Sequence, residues 1–148
     1  MANPGNSFKW ALIEEMKQWG INDLKIYSEV YVGSRFVGMK RKLDIVLECK
    51  GASLGIEAKT QQSSGTAYQK LSYTLEDAKR SPIPTLIVFS GGQIQPDVKA
   101  MIVSSGIGLE IEWSPEEGFG FGRDILRQRI LIELGLDWLR DQEHRRVH

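Results

Sequence analysis

Apolar and polar residues along this chain fall into blocks whose periods alternate between those of helices and those of strands. Apolar residues at helical spacing predict a first helix from Asn6 or Ser7 to Trp19. Short apolar runs predict three successive strands, over 25–32, 43–48 and 54–60. The remaining predicted elements are a helix over 66–80, a strand over 85–90, a helix over 97–105, a strand over 108–113 and a long C-terminal helix. This order predicts an α/β fold with a mixed central sheet flanked by helices.

The C-terminal third is predicted to hold a loop followed by that long helix. Gly and Pro residues predict the loop over 114–122, where the segment Gly118–Gly122 alternates glycine with phenylalanine. A phosphate-loop role is disfavoured, because no strand leads directly into this segment and no Lys-Ser/Thr pair follows it. The helix is expected to turn seven apolar side chains towards the body: Ile125, Leu126, Ile130, Leu131, Leu134, Trp138 and Leu139.

The second and third strands are expected to form a hairpin. Lys50 and Gly51 suit a two-residue turn, and in that register the numbers of paired residues sum to 101, as 44 and 57 do. Asp44 would then face Glu57, and the two-residue period of a strand puts Lys59 on the same side as Glu57. A shift of one residue would move these side chains to opposite faces, so the register is open to a direct check.

Two carboxylates and an ammonium in these strands conflict with the apolar pattern around them. Asp44 lies within the run 43–47, and Glu57 and Lys59 lie within the run 54–59. Burying charge costs stability unless the groups pair or hold a metal, and such conflicts are typical of functional sites. Two interpretations follow, namely a magnesium-dependent site for phosphodiester hydrolysis and an ordinary cross-strand salt-bridge cluster.

Composition narrows the class of protein. The 148 residues are enough for one domain, taken here as 1–148, and a charged fraction of 26% is typical of a globular chain. The formal net charge is zero, so any nucleic-acid binding has to come from local patches. One cysteine, Cys49, excludes an intrachain disulfide and a cysteine-based zinc site. We expect a cytoplasmic protein without a membrane segment.

The residues Asp44 and Glu57-Ala58-Lys59, placed on the second and third strands, resemble the signature of the PD-(D/E)XK nuclease superfamily. The resemblance covers roughly Ser7 to Ser90 and implies the α-β-β-β-α-β core of restriction-endonuclease-like proteins, here with a further helix, strand and C-terminal helix. Gln69 and Tyr73 lie one helical turn apart on the next helix and resemble the QxxxY motif of the RecB-like branch. A plain polar helix face is the alternative for that pair.

The resemblance implies a role for each of these residues. Asp44, Glu57 and the backbone carbonyl of Ala58 would bind Mg²⁺ or Mn²⁺, since Mg²⁺ prefers oxygen ligands and keeps several waters. Lys59 would orient the attacking water or neutralise transition-state charge, and Gln69 and Tyr73 would steady the site or the substrate phosphate. Many members add an acid from the first helix, for which Glu15 is preferred over Glu14; a paired structural carboxylate is an equal alternative for Glu15.

Substrate contacts are predicted on either side of these acids. Lys40, Arg41 and Lys42 immediately precede Asp44 and would hold flanking phosphates, although a solvated edge is an equally good interpretation. The expected substrate is DNA, with an endonuclease on branched or distorted DNA favoured over an exonuclease.

A homodimer is expected, because cutting two strands needs two sites. Candidate residues for its apolar contact surface are Trp113, Phe119, Phe121 and Trp138. The alternatives are a nuclease subunit that a partner protein targets, and a binding module of the same fold that does no cutting.

Overall fold

The structure is a computed structural model that describes residues 4–34, 40–60, 67–91 and 96–138, with the side chains of 4–6, 34 and 67–71 outside that description. The elements in chain order are α1 (Pro4–Gln18), β1 (Lys25–Ser34), β2 (Lys40–Cys49), β3 (Ala52–Thr60), α2 (Ala67–Lys79), β4 (Thr85–Ser90), α3 (Pro96–Ser104), β5 (Gly108–Glu110), β6 (Trp113–Ser114), β7 (Gly118–Phe119) and α4 (Arg123–Glu133). Within these ranges, no helix has the length and hydropathy needed to cross a membrane.

A five-stranded sheet in the order β1-β2-β3-β4-β5 forms the centre of the molecule. The pairs β1–β2 and β2–β3 are antiparallel, whereas β3–β4 and β4–β5 are parallel. Apolar side chains of α1 and α4 pack with one face of the sheet, and those of α2 and α3 pack with the other. The mixed α/β architecture predicted from the order of elements is therefore confirmed. β4, buried at all six positions, lies between both layers of helices.

The β2–β3 hairpin has the predicted register. Lys50 and Gly51 have φ values of 51° and 86°, as a type I′ turn requires at both central positions. Cys49 then pairs with Ala52, and the pairs continue in the same register to Ile45↔Ile56. Leu47 and Leu54, which are partners near this turn, are both 0% exposed. The turn thus fixes which residues meet at the far end of the hairpin.

The segment after β4 departs from the prediction. The strand expected over 108–113 divides into β5 and β6, and the expected loop forms a β6–β7 hairpin in which Trp113 pairs with Phe119. Both rings are partly buried against the core, which favours pairing over an open loop. Gly122 has φ 93°, and a Cβ there would lie 2.5 Å from the Glu110 carbonyl oxygen, so only glycine fits this close approach.

The C-terminal helix is shorter than predicted, since α4 ends at Glu133 and Gly135 follows in a left-handed conformation. Leu126, Ile130 and Leu134 form its buried stripe at four-residue spacing. The expectation for Ile125 was wrong, because its position one residue before Leu126 turns it away from that stripe and leaves it 61% exposed. Trp138 is partly buried, and Leu139 lies outside the described residues.

Candidate active site

β2 and β3 separate at the end of their hairpin that is remote from the turn. Backbone pairing is described as far as Ile45↔Ile56, and beyond it side chains bridge the two strands. The Ala58 amide donates to Asp44 Oδ2 at 2.9 Å, and the Asp44 amide donates to Glu57 Oε1 at 3.3 Å. Each carboxylate is thus bonded to the backbone of the opposite strand. We call this position, with Asp44 and Glu57, the fork.

The alternation of side chains changes at the fork. Ile45 packs in the core cluster beside α1, whereas the Leu43 side chain lies on the opposite face, where its Cδ1 is 2.6 Å from the position of a Cβ on Gly55. Two residues of a regular strand would share a face, so the phase shifts at Asp44. Glu29, which falls opposite Asp44 between the pairs Ser28↔Ile45 and Val30↔Leu43, has φ 56°. This irregularity in β1 lies beside the point where β2 and β3 part.

Lys59 completes the group of charges at the fork. Its Nζ lies 3.5 Å from Glu57 Oε2, and the two side chains are 38% and 12% exposed. The carboxylate is therefore inside the protein, whereas the ammonium reaches solvent on its flexible stem. The three residues predicted to act together, Asp44, Glu57 and Lys59, lie together in the structure.

Burial is the main cause, and the neighbouring Asp44 carboxylate the second, that raises the pKa of Glu57 from its ordinary value of 4.5 to about 7. The Lys59 ammonium and the Asp44 amide oppose this shift of the pKa but do not cancel it. A carboxyl with such a pKa is a recognised mark of a functional site. A bound cation would remove the main cause, because it would offset both the repulsion and the loss of solvation.

The donor set at the fork suits a hard divalent cation. Asp44 and Glu57 offer carboxylate oxygens, which Mg²⁺ and Mn²⁺ prefer, and two carboxylates suffice for an ion that keeps several waters. Across the ranges that the structure describes, no group of three or more His, Cys, Asp or Glu side chains is placed to hold a metal ion. A softer cation that needs sulfur or several imidazole ligands therefore finds no such set among the described residues.

The predicted first-helix acid is already engaged. Glu15 is partly buried, and its Oε1 accepts a hydrogen bond from Trp19 Nε1 at 3.3 Å and lies 3.6 Å from Arg123 Nε of α4. Glu14 is exposed and pairs with Lys17 at 3.2 Å. The predicted inward direction of Glu15 is thus seen, and its partners are those of a carboxylate that ties α1 to α4.

Arg41 differs from the prediction that it contacts substrate. It is 3% exposed and forms a two-point ion pair with Asp77 of α2, from Nη2 to Oδ1 at 3.2 Å and from Nε to Oδ2 at 3.4 Å. The change of phase at Asp44 turns Arg41 towards α2, so its guanidinium is used to join helix and sheet. Lys40 and Lys42, the neighbours of Arg41, are exposed as expected.

Gln69 and Tyr73 both lie on α2. The Gln69 side chain is outside the described residues, and Tyr73 is 38% exposed. Among the predicted apolar contact residues, Trp113 packs on Phe8 with ring centroids 5.2 Å apart, and Phe121 is 57% exposed. Only part of that predicted surface therefore reaches solvent.

A cleft at the carboxyl ends of β4 and β5 was not predicted from sequence. Its volume is about 270 Å³, and its lining includes the ion pair between Lys99 Nζ and Glu110 Oε1 at 2.8 Å, together with Trp113 and Phe121. Its residues come from the end of β4, from α3, from β5 and from the segment after β5, and they lie at irregular spacing between residues 90 and 121. No local motif marks it, although the carboxyl edge of parallel strands is a common place for clefts.

A family model described as the PD-(D/E)XK nuclease superfamily domain matches residues 6–111. The chain belongs to this superfamily. The matched range includes Asp44, Glu57 and Lys59, and the resemblance drawn from these residues is confirmed at the level of the superfamily. Among curated proteins no sequence match is found.

Solved structures share the fold at low identity. A protein of unknown function is 14% identical with a TM-score of 0.50, and the match covers 87% of this chain and 79% of that one. An fdxN element excision controlling factor protein from Anabaena variabilis is 14% identical with a TM-score of 0.50, and the match covers 76% of this chain and 95% of that one. The small subunit of the heterodimeric restriction endonuclease R.BspD6I is 17% identical with a TM-score of 0.45, over 97% and 88%.

Proposed function

We propose that this protein is a metal-dependent deoxyribonuclease that hydrolyses phosphodiester bonds, with Asp44, Glu57 and Lys59 as its catalytic residues. The observation that carries the proposal is the fork, where two carboxylates are fixed by the backbone of opposite strands and Lys59 Nζ lies 3.5 Å from Glu57. An ordinary surface salt bridge needs neither the interruption of pairing nor the burial of Glu57.

Asp44, Glu57 and the backbone carbonyl of Ala58 would hold Mg²⁺ or Mn²⁺. When bound, the cation would supply positive charge to the phosphoryl oxygens and lower the pKa of a water by several units. The Ala58 amide fixes Asp44 Oδ2 and leaves the other oxygen of this carboxylate for a ligand. Membership of the superfamily supports a divalent ion in general.

Lys59 would act on the attacking water and on the phosphoryl group. Its ammonium carries three donors on a flexible stem, and at 38% exposure it can reach a phosphate that approaches from solvent. Glu57 would keep that ammonium in place through its Oε2, which lies 3.5 Å away. Prepositioned positive charge of this kind stabilises the transition state more than the ground state.

For the substrate we propose DNA, cut as an endonuclease at branched or distorted positions, with Lys40 and Lys42 holding flanking phosphates. Gln69 and Tyr73 would steady the site or the phosphate from α2. The protein would act as a homodimer, since two strands need two sites. A cytoplasmic setting is consistent with the buried free thiol of Cys49, which suits a reducing compartment.

A binding module of the same fold, one that does not cut, is the second candidate. Two observations favour it: the formal net charge is zero, and the first-helix acid Glu15 already pairs with Arg123 and Trp19. A nuclease subunit targeted by a partner protein is the remaining alternative, and it would use the same catalytic residues.

The test is cleavage of supercoiled plasmid in the presence of Mg²⁺ or Mn²⁺. Wild type is expected to nick or linearise the plasmid, and Asp44→Asn and Lys59→Ala are each expected to lose at least about 10²- to 10³-fold in rate. Glu48→Gln is the matched control, because Glu48 is also a carboxylate on β2 but pairs with Lys25 at 3.5 Å. Binding of branched DNA without cutting by any variant would favour the binding module.

Calorimetry separates the metal from the chemistry. Wild type is expected to bind Mn²⁺, and Asp44→Asn is expected to bind it much more weakly, since the variant loses one of two charged ligands. No uptake of Mg²⁺ or Mn²⁺ by wild type, with or without an oligonucleotide, would overturn the hydrolytic function.

A further inference from the structure

A continuous set of contacts links lysines and aromatic rings beside the fork. Lys9 Nζ and Lys42 Nζ each lie 3.7 Å from Glu29 Oε1, so α1 and β2 meet at one carboxylate of β1. Lys9 Nζ lies 5.0 Å from the ring centroid of Trp10. These residues, with Tyr31 and Lys40, form what we call the basic-aromatic patch: Lys9, Trp10, Glu29, Tyr31, Lys40 and Lys42.

Tyr31 joins the patch from β1. It pairs with Lys42 across the strands, and Lys40 Nζ lies 5.9 Å from its ring centroid. The contact of Glu29 with Lys9 places this part of β1 on the α1 side of the sheet. Tyr31 is the cross-strand partner of Lys42, whose ammonium contacts the same Glu29 carboxylate, and therefore shares that side. Tyr27 lies on the other side, because its neighbour Ile26 packs into the core beside α1.

The rings of the patch are open to solvent although they are large. Trp10 is 45% exposed and Tyr31 is 64% exposed. Three lysines lie here against one glutamate, in a chain whose formal net charge is zero. Lys9 is 6% exposed, so Lys40 and Lys42 are the lysines of the patch that reach solvent. The patch is therefore a local concentration of positive charge and aromatic surface, which the overall composition conceals.

We propose that the basic-aromatic patch binds an unpaired nucleic-acid strand, with Trp10 and Tyr31 stacking on bases and Lys40 and Lys42 contacting phosphates. Exposed rings interleaved with cations are the two elements that single-strand binding uses, because every base has a face to stack and every phosphate a charge to neutralise. Duplex DNA keeps its bases stacked on each other and gives such rings little to contact. The inference deepens the proposed nuclease function and rests on it for the choice of nucleic acid.

The position of the patch indicates which class of DNA substrate the protein would bind. Lys42 precedes Asp44 by two residues on β2, which is about 7 Å along the strand. Ile56 and Ala58 pack on the α1 side, so Glu57 and Lys59 project from the other side of the sheet. A strand held on the patch would therefore have to pass the fork end of β2 to reach these carboxylates. Branched DNA with a single-stranded arm beside the duplex, such as a flap, presents both parts that this arrangement would engage.

Binding of a labelled oligothymidylate in EDTA tests the patch without any cleavage. Trp10→Ala and Tyr31→Ala are each expected to weaken binding by about 5- to 100-fold, the loss expected for one stacked base. Tyr31→Phe keeps the ring and is expected to bind as wild type does. Tyr27→Ala is the matched control, since Tyr27 is 47% exposed on the opposite side of the same strand and is expected to leave binding unchanged.

The salt dependence of the same binding tests the lysines. Lys40→Ala and Lys42→Ala are each expected to reduce the slope of log K against log salt concentration by about 0.7, the value for one phosphate contact on a single strand. Lys25→Ala, 63% exposed at the other end of β1, is expected to leave the slope unchanged. Glu29→Gln is expected to tighten binding several-fold, because it removes the carboxylate that competes for Lys42.

The outcomes separate this inference from the nuclease. Trp10→Ala and Tyr31→Ala variants that melt like wild type and bind oligothymidylate equally well would overturn the patch, even if plasmid cleavage persists. If the Trp10→Ala and Tyr31→Ala variants lost as much affinity for duplex DNA as for single-stranded DNA, the proposal of single-strand binding would be overturned too. The expected losses in a wild type that fails to cleave in Mn²⁺ would uphold the patch and refute only the nuclease.

Discussion

The two ends of the β2–β3 hairpin are built from the same strands and differ in almost everything else. Near the turn, Leu47 and Leu54 are completely buried partners in an uninterrupted ladder. At the fork, Asp44 and Glu57 take over the bonding of the backbone, and the ladder stops. The fork can hold charged residues because the turn and the buried leucines at the other end of the hairpin already fix the register.

This contrast predicts that the fork serves chemistry and the turn end serves stability. The sharpest test is Lys59→Met, which keeps much of the volume and removes the charge. Cleavage is expected to fall about 10³-fold, because prepositioned charge at the phosphoryl group is lost. The free energy of unfolding is expected to change by less than about 1 kcal/mol, since the partly exposed pair with Glu57 is screened by water.

Plasmid cleavage measures the rate, and urea unfolding of the same preparation measures the free energy of unfolding. Lys25→Met is the control, because Lys25 also pairs with a glutamate but lies near the turn end of the hairpin. A variant that cleaves normally would remove Lys59 from the chemistry. A variant that unfolds far more easily would make the fork a structural element instead.

The opposite test lies near the turn. Leu54→Ala is expected to lower the free energy of unfolding by about 3 kcal/mol, within the usual range for a fully buried leucine. Urea unfolding followed by tryptophan fluorescence gives this value. Ile125→Ala, at a 61% exposed position, is the control and is expected to cost less than about 1 kcal/mol. Folded Leu54→Ala protein that no longer cleaves would contradict the division of roles between the two ends.

The dependence of stability on pH offers a third test of the contrast, because the pKa of Glu57 differs between the folded and unfolded chains. Its pKa rises from 4.5 to about 7 on folding, so the metal-free folded protein binds the proton more tightly. The stability that this proton contributes is complete below pH 4.5 and is lost as the pH rises to about 7. The loss is expected to be a few kcal/mol, since each pH unit between the two pKa values contributes about 1.4 kcal/mol.

In EDTA, which keeps the protein free of metal, Glu57→Gln is therefore expected to lack this pH dependence of the free energy of unfolding. It is also expected to be more stable than wild type at pH 8. Glu48→Gln, altered near the turn end, is expected to retain it. Urea unfolding at several pH values between about 4 and 8 makes the comparison across the range of the shifted titration. Parallel pH profiles for wild type and Glu57→Gln would contradict the raised pKa.

The smallest expected effect concerns the residue between the two ends. A Cβ at Gly55 would lie 2.6 Å from Leu43 Cδ1 and 2.8 Å from Thr85 Oγ1. Gly55→Ala is expected to destabilise the protein by about 1 to 2 kcal/mol, because the leucine and threonine have to shift. Combining it with Leu43→Val is expected to give less than the sum of the two separate losses, which a double-mutant cycle on unfolding measures. Strict additivity would refute the contact.

The sequence was sufficient to predict the strands and helices whose apolar residues repeat at a constant spacing. The run over 85–90 is continuously apolar and became β4 with the predicted bounds, and the register of the hairpin followed from Lys50 and Gly51. The group at the fork could be anticipated because charge in an apolar run is conspicuous in one sequence. Its geometry beyond Ile45 could not, since nothing in the residue pattern marks the place where the alternation of faces breaks.

Other features were hidden because they depend on contacts distant in the chain. The left-handed conformation of Glu29 is not encoded by its residue type, and it accompanies the shift of phase at Asp44. Arg41 looked like part of a basic rim, because its partner Asp77 lies 36 residues away. The β6–β7 hairpin depends on Trp113 and Phe119 packing on the core, which no local pattern of glycines reveals.

The left-handed residue in β1 also bears on how two copies of this chain could associate. β1 is the outer strand of the sheet, and a straight outer strand invites a second copy to extend the sheet by pairing with it. Glu29 bends that border near its middle and adds a charge to it. Edge-to-edge pairing of two copies through β1 is thereby discouraged, so the proposed homodimer would use another surface of the molecule.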